Sequence, residues 1–165
     1  MDFQIAVLAG DGIGPEVTAQ GANVLETVGR VVGHNFRLEY GDVGGISIDN
    51  HGTPLLPEVS DLAASADAVL FGAVGGPRWD DPSAKVRPED GILAVRKDLG
   101  LFPNLRPVKV FPSLINSSPI KPELLRGVDI MIVRELTGGL YFARPKKRWT
   151  TSRGRRGVDT LRYTE

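Results

Sequence analysis

The chain has 165 residues, 41% hydrophobic and 24% charged, with 20 Lys and Arg against 20 Asp and Glu. That length suits one domain with a real core, or parts of two, and a net charge of zero gives a nucleic-acid binder no footing. Cysteine is absent, which excludes disulfides and thiolate metal sites and leaves the redox compartment open.

The opening "MDFQIAVLAGDG" lacks a basic n-region, and no apolar stretch approaches the ~20 residues that span a bilayer. The expectation is a cytoplasmic enzyme or binding domain without a membrane segment. "FQIAVLA" reads as a buried strand. It runs into "GDGIGPE" and then a helix in which Val17, Gly21, Val24, Leu25, Val28, Val31 and Val32 recur at three- and four-residue steps. Pro15 suits the first helical position and Glu16 the positive end of the dipole. "FRLEYGDVGG" is a second strand. "PLLPEVSDLAASA" gives a short helix with Leu55, Val59, Leu62 and Ala66 on one side. "DAVLFGAVGG" is a third strand, apolar on both faces, as in a parallel sheet covered by helices on both sides.

"GPRWDDPSAKVRPED" is a polar loop of a length found in functional or disordered segments. "GILAVRKDLG" is a helix stopped by Gly100. "LFPNLRPVKVFP" is extended, but Pro103, Pro107 and Pro112 each remove a ladder donor, so it is not a fully paired central strand. "KPELLRG" is a helical turn and "VDIMIVREL" a buried strand. From Leu140 onward the pattern is a two-stranded arm with a basic, glycine-containing turn. From Arg144 to the end there are eight Lys and Arg against Asp159 and Glu165. A nucleic-acid patch is one reading of this arm. Subunit pairing is favoured, because a lone hairpin is marginal in water. The predicted organisation is α/β: a mostly parallel, doubly wound sheet, incomplete, in residues 1–101, and the start of a second α/β domain in residues 102–165, including the arm 140–165.

Gly10, Gly12 and Gly14 are spaced G-x-G-x-G, which fits neither the dinucleotide fingerprint nor a P-loop and reads as a tight strand-to-helix turn. On the "GILAVRKDLG" helix, Ile92 and Leu93 lie four and three residues before Arg96, so one face presents branched aliphatics beside a guanidinium. Val128, Ile130, Ile132 and Arg134 share one strand face, with Arg134 at the C-terminal end, where open α/β sheets place ligand groups. Arg106 follows Asn104 in the extended run. Three arginines from three elements could fork onto carboxylates; taken singly, each also fits an exposed salt bridge.

"AGDGIGPEV", "GAVGGPRWD", "RPEDGILAVRKDLGLFPNLRPVKVF", "VRELTGGLYF" and "DTLRYTE" together resemble the isopropylmalate-type members of the isocitrate/isopropylmalate dehydrogenase family. The resemblance implies NAD-dependent oxidative decarboxylation of 3-isopropylmalate to 2-oxoisocaproate in leucine biosynthesis, by a homodimer that also uses Mg2+ or Mn2+. It implies that Arg96, Arg106 and Arg134 bind the malate carboxylates and that Ile92 and Leu93 accommodate the isopropyl group. Tyr141 assists catalysis. The 76–89 loop lines the NAD site through Gly76, Pro77, Arg78, Trp79, Asp80 and Glu89, with Glu89 near the nicotinamide end. The arm resembles the family's intersubunit clasp. The family's catalytic lysine, metal-binding aspartates and second cofactor loop are expected beyond residue 165, so no metal ligand is assigned and the 165 residues alone are expected to be inactive. The alternatives are a tartrate- or isocitrate-type enzyme, against which the aliphatic Ile92–Leu93 pair argues, and a non-catalytic fragment or binding module.

Overall fold

Ile5, Ala6, Val7 and Leu8 are each at most 6% exposed, and their burial on both faces makes Asp2–Gly10 (β1) the middle strand of a parallel sheet. In this computed structural model, which describes residues 1–81, 83–136 and 138–163, β1 pairs with Asn35–Tyr40 (β2) on one side and Ala68–Ala73 (β3) on the other. Between the strands run helices Gly14–Val32 (α1), Gly45–His51 (α2) and Pro57–Ser65 (α3), and Pro88–Asp98 (α4) follows β3. The chain divides into two compact units, Met1–Gly100 and Leu101–Glu165.

Both faces of the sheet carry helices, as the doubly wound expectation requires. α1 covers one face through Gly14, Thr18, Ala22 and Gly29. Gly21 lies against Leu70, and a Cβ at Gly29 would press on Phe36 and the His34 carbonyl. On the other face Leu8, Val43, Val59, Ala63 and Val95 form the core, joined by Val69, Phe71 and Leu99. Helices α3 and α4 supply Val59, Ala63 and Val95 to it.

Of the predicted stripe of α1, Gly21 and Leu25 are half-buried, but the valines face outward. Val17, Val24, Val28, Val31 and Val32 are 43–79% exposed. The helix approaches the sheet through small side chains, which brings its axis closer than valines would allow, and this turns the branched stripe outward. The sequence reading also missed α2, whose seven residues carry Ile46 and Ile48 and no helical apolar repeat.

In the second unit Pro103–Lys109 (β4) pairs antiparallel with Asp129–Glu135 (β5), and Pro122–Leu125 (α5) precedes β5. The prolines of β4 are tolerated because it has one strand neighbour only. β5 is not the buried strand its composition predicts. Ile130, Met131, Ile132 and Val133 are 49–60% exposed, since a two-stranded ribbon leaves both faces bare. A helical turn, Gly139–Phe142 (α6), then leads to the hairpin Lys147–Thr151 (β6) and Gly154–Val158 (β7). The arm is thus narrower than expected: its first residues, Leu140–Phe142, are helical.

Candidate functional site

At the C-terminal ends of β1 and β3 the chain makes two glycine turns. Gly10 and Gly12 adopt φ of 77° and 58°, in the left-handed region that favours glycine. A Cβ at Gly14 would collide with the carbonyl oxygens of Ala9 and Ala73. The G-x-G-x-G spacing thus serves backbone geometry at the sheet's mouth, as the tight-turn reading expects.

Asp11 sits between these turns at 5% exposure. Its carboxylate accepts the N–H of Gly45 at 2.5 Å and that of Gly75 at 2.7 Å. It ties the β1–α1 turn to the start of α2 and to the loop after β3. The sequence reading missed it, because nothing in "AGDGIGPE" tells which residues 34 and 64 positions away will present their amides. In the complete protein, Asp11→Ala strands two amides at the mouth of the sheet. The expected loss of stability is about 2–4 kcal/mol, read as a fall in melting temperature against the parent.

The loop after β3 forms a short 3-10 turn, Pro77–Trp79. Gly76, Pro77, Trp79, Asp80 and Glu89 line one cleft of about 360 Å³ with Val74, Gly75, Arg87 and Pro88. The Glu89 carboxylate stands at the start of α4, where it faces Gly75. Arg78 is not among the lining residues. Its guanidinium pairs with Asp49 of α2 at 3.1 Å, and the same aspartate accepts the Trp79 indole N–H at 3.2 Å. Further along, Asp81 accepts both the N–H and the hydroxyl of Ser83, at 2.8 and 2.7 Å. The backbone bond leads in holding its carboxyl below the usual carboxylate range.

α4 begins with a cap in which the Asp90 carboxylate accepts the Arg87 N–H at 2.9 Å, while the Asp90 N–H donates to the Arg87 carbonyl at 3.0 Å. Gly91 and Val95 bury its inner face. Ile92, Leu93 and Arg96 lie on its half-buried flanks.

In the second unit Asn104 pairs with Arg134 and Arg106 with Ile132. By the two-residue period these four side chains share one face of the ribbon. Arg106 Nε donates to Asn104 Oδ1 at 3.3 Å. After β5 the Glu135 carboxylate accepts the Gly138 N–H at 2.7 Å, and Gly139, at φ 71°, turns the chain into α6. That turn brings Tyr141 back onto β5. The Arg134 guanidinium donates to the Tyr141 hydroxyl at 3.2 Å and lies 5.6 Å from its ring centroid. Arginine has no acceptor, so the Tyr141 oxygen accepts this bond and its own proton points elsewhere. The structure thus gathers Arg106, Arg134 and Tyr141 on the second unit, while Ile92, Leu93 and Arg96 belong to the first.

Among the described residues no three His, Asp or Glu side chains gather to hold a metal ion, and no helix is long and apolar enough to cross a membrane.

A profile of the isocitrate/isopropylmalate dehydrogenases matches residues 4–165. The chain is 61% identical to a 3-isopropylmalate dehydrogenase of Anaeromyxobacter dehalogenans over 165 residues, which is 100% of this chain and 47% of that protein. It is 55% identical to one of Dehalococcoides mccartyi, again over 100% of this chain and 46% of the relative. The fold resembles the crystal structure of a beta-decarboxylating dehydrogenase from Thermococcus kodakarensis, with a TM-score of 0.58 and 32% identity over 97% of this chain and 41% of that one. The chain spans about half the length of the curated relatives it matches. With the family profile covering nearly every residue and a solved relative sharing the fold over 97% of this chain, the chain belongs to the isocitrate/isopropylmalate dehydrogenase family, of which it represents the N-terminal part.

Proposed function

We propose that the complete protein oxidises 3-isopropylmalate with NAD and releases CO₂ to give 2-oxoisocaproate, a step of leucine biosynthesis, as a cytoplasmic homodimer clasped through its arms. The observation that carries this reading is the Arg134–Tyr141 pair, a guanidinium and a phenol in contact at 3.2 Å, in a chain whose relatives carry that enzyme name. Arg134 and Arg106 share a face that suits a carboxylate, to which planar guanidinium donors fork. Arg96 would add a third such contact from its own helix, and Ile92 and Leu93 would pack against an isopropyl group.

The described residues fit NAD in part. Gly75 and Gly76 leave backbone uncovered by side chains, Trp79 offers an aromatic wall, and Asp80 and Glu89 offer acceptors. A cleft of about 360 Å³ takes a portion of a dinucleotide rather than the whole. Bound there, NAD would accept the hydride in oxidation of the 2-hydroxyl, whose proton would pass to a base that the family resemblance expects in the rest of the complete protein. This chain's own residues then have two tasks. The arginines hold the retained carboxylate while the C–C bond to the departing carboxylate breaks and its electron pair moves onto the adjoining carbonyl. Tyr141, whose oxygen is committed to Arg134 as acceptor, keeps a proton to deliver to the resulting carbon. A divalent ion does not fit the described residues by themselves.

Turnover by the complete protein tests the reading. The expected result is reduction of NAD with 3-isopropylmalate at a kcat/KM at least about a hundredfold above that with isocitrate or tartrate, because a third carboxylate or a hydroxyl against Ile92 and Leu93 is desolvated without a partner. Faster turnover of tartrate or isocitrate overturns the substrate assignment.

A further inference from the structure

The 3-10 turn Pro77–Trp79 has little backbone support of its own. Trp79 donates to the Gly76 carbonyl at 3.0 Å, and Asp80 to that of Pro77 at a long 3.5 Å. Its shape comes from a side chain on a different element. Asp49, on α2, uses one carboxylate oxygen for the Arg78 guanidinium and the other for the Trp79 indole. The Asp49 side chain is 24% exposed and that of Arg78 72%, so the acceptor is the more sheltered partner. The indole ring also lies against Gly45 of α2, where any Cβ would collide with it. The Arg78 guanidinium sits 5.5 Å from the Trp79 ring centroid. One carboxylate therefore sets two neighbouring side chains: Trp79 becomes a wall of the cleft, and Arg78 is drawn away from its carboxylates, Asp80 and Glu89.

We infer that Asp49 is a positioning residue for nucleotide binding, acting through Arg78 and Trp79, and this rests on the reading of the cleft as the NAD site. Without Asp49 the indole loses its hydrogen bond and the guanidinium is free to swing toward Asp80 and Glu89. The cleft, already lined by Arg87, then loses the fixed Trp79 wall. Asp49→Asn separates the two contacts, because the amide still offers an oxygen to the indole N–H but no charge to Arg78.

The test measures NAD affinity by calorimetry and the hydrogen exchange of the loop around residues 76–81. It uses the complete protein, or residues 1–165 joined to the remaining part of the Anaeromyxobacter dehalogenans relative. Asp49→Ala is expected to weaken NAD binding on the order of tenfold and to speed exchange of the loop in the nucleotide-free protein, with Asp49→Asn in between. The KM for the hydroxy acid and the melting temperature stay close to the parent's, which a general loss of structure would not allow. If Trp79→Ala weakens NAD binding while both Asp49 variants bind like the parent, the positioning role is wrong and the cleft assignment stands. If Trp79→Ala also leaves NAD affinity unchanged, the cleft is not the nucleotide site, and both conclusions fall.

Discussion

On the proposed function, replacing Arg134 by lysine in the complete protein is expected to lower kcat/KM for 3-isopropylmalate by about 1.5–3 kcal/mol of transition-state stabilisation, roughly 10- to 150-fold. Lysine keeps the positive charge, so long-range attraction of an anionic substrate survives. What it loses is the planar fork and the reach to two partners at once. In the structure Arg134 already spends one Nη donor on the Tyr141 hydroxyl and stacks near its ring. An ammonium on a flexible stem cannot hold the phenol and a carboxylate in one fixed geometry. Both binding and proton delivery therefore suffer, and the loss appears in kcat as well as in KM. The check is steady-state kinetics of the parent and Arg134→Lys at saturating NAD. An unchanged kcat/KM removes Arg134 from the site. A change in KM alone limits it to uniform binding of substrate and transition state.

The 165-residue polypeptide, expressed by itself, is expected to self-associate and to show no NAD reduction with 3-isopropylmalate and Mg2+ or Mn2+. The physical cause lies in three surfaces. β2 and β3 flank β1 as the outer strands of a three-stranded parallel sheet, so each offers an unpaired row of backbone donors and acceptors. α1 presents its valine stripe to solvent. The β4–β5 ribbon exposes Ile130, Met131, Ile132 and Val133 together, a β-prone apolar run of the kind that recruits further strands. Turnover should lie at least about a thousandfold below that of the complete enzyme, because the described residues assemble no carboxylate cage for a divalent ion. Light scattering coupled to gel filtration, a thermal melt and an absorbance assay for NADH examine each part. A monodisperse, cooperatively melting protein refutes the structural half, and measurable turnover refutes the mechanistic half.

The sequence by itself determined the strands, the turns and the order of the α/β units. "FQIAVLA" and "DAVLFGA" are apolar runs that call for a parallel sheet with helices on both sides; β1 is buried at its centre, while β3, an outer strand, is half-buried. Gly10, Gly12 and Gly100 mark turns because they take positive φ. The prolines of β4 limit it to one strand neighbour, which the observed pairing obeys. The motifs also carried the family, and of the loop residues they named all but Arg78 line the cleft. Tertiary structure alone decided which stripe of α1 faces the sheet. Periodicity finds an apolar stripe, but the sheet selected Gly14, Thr18, Ala22 and Gly29 for close approach and left the valines outside. It also decided that β5, apolar enough to be a core strand, is exposed here, because burial depends on neighbours that a strand's own residues do not encode. The two aspartates that organise the loop after β3 belong to the same class. Asp11 and Asp49 carry no local signal of their roles, since each acts on groups 29 to 64 residues away — Asp49 on Arg78 and Trp79, Asp11 on Gly45 and Gly75. A carboxylate's partners are chosen by the fold that surrounds it, and only the folded chain brings them within hydrogen-bond reach.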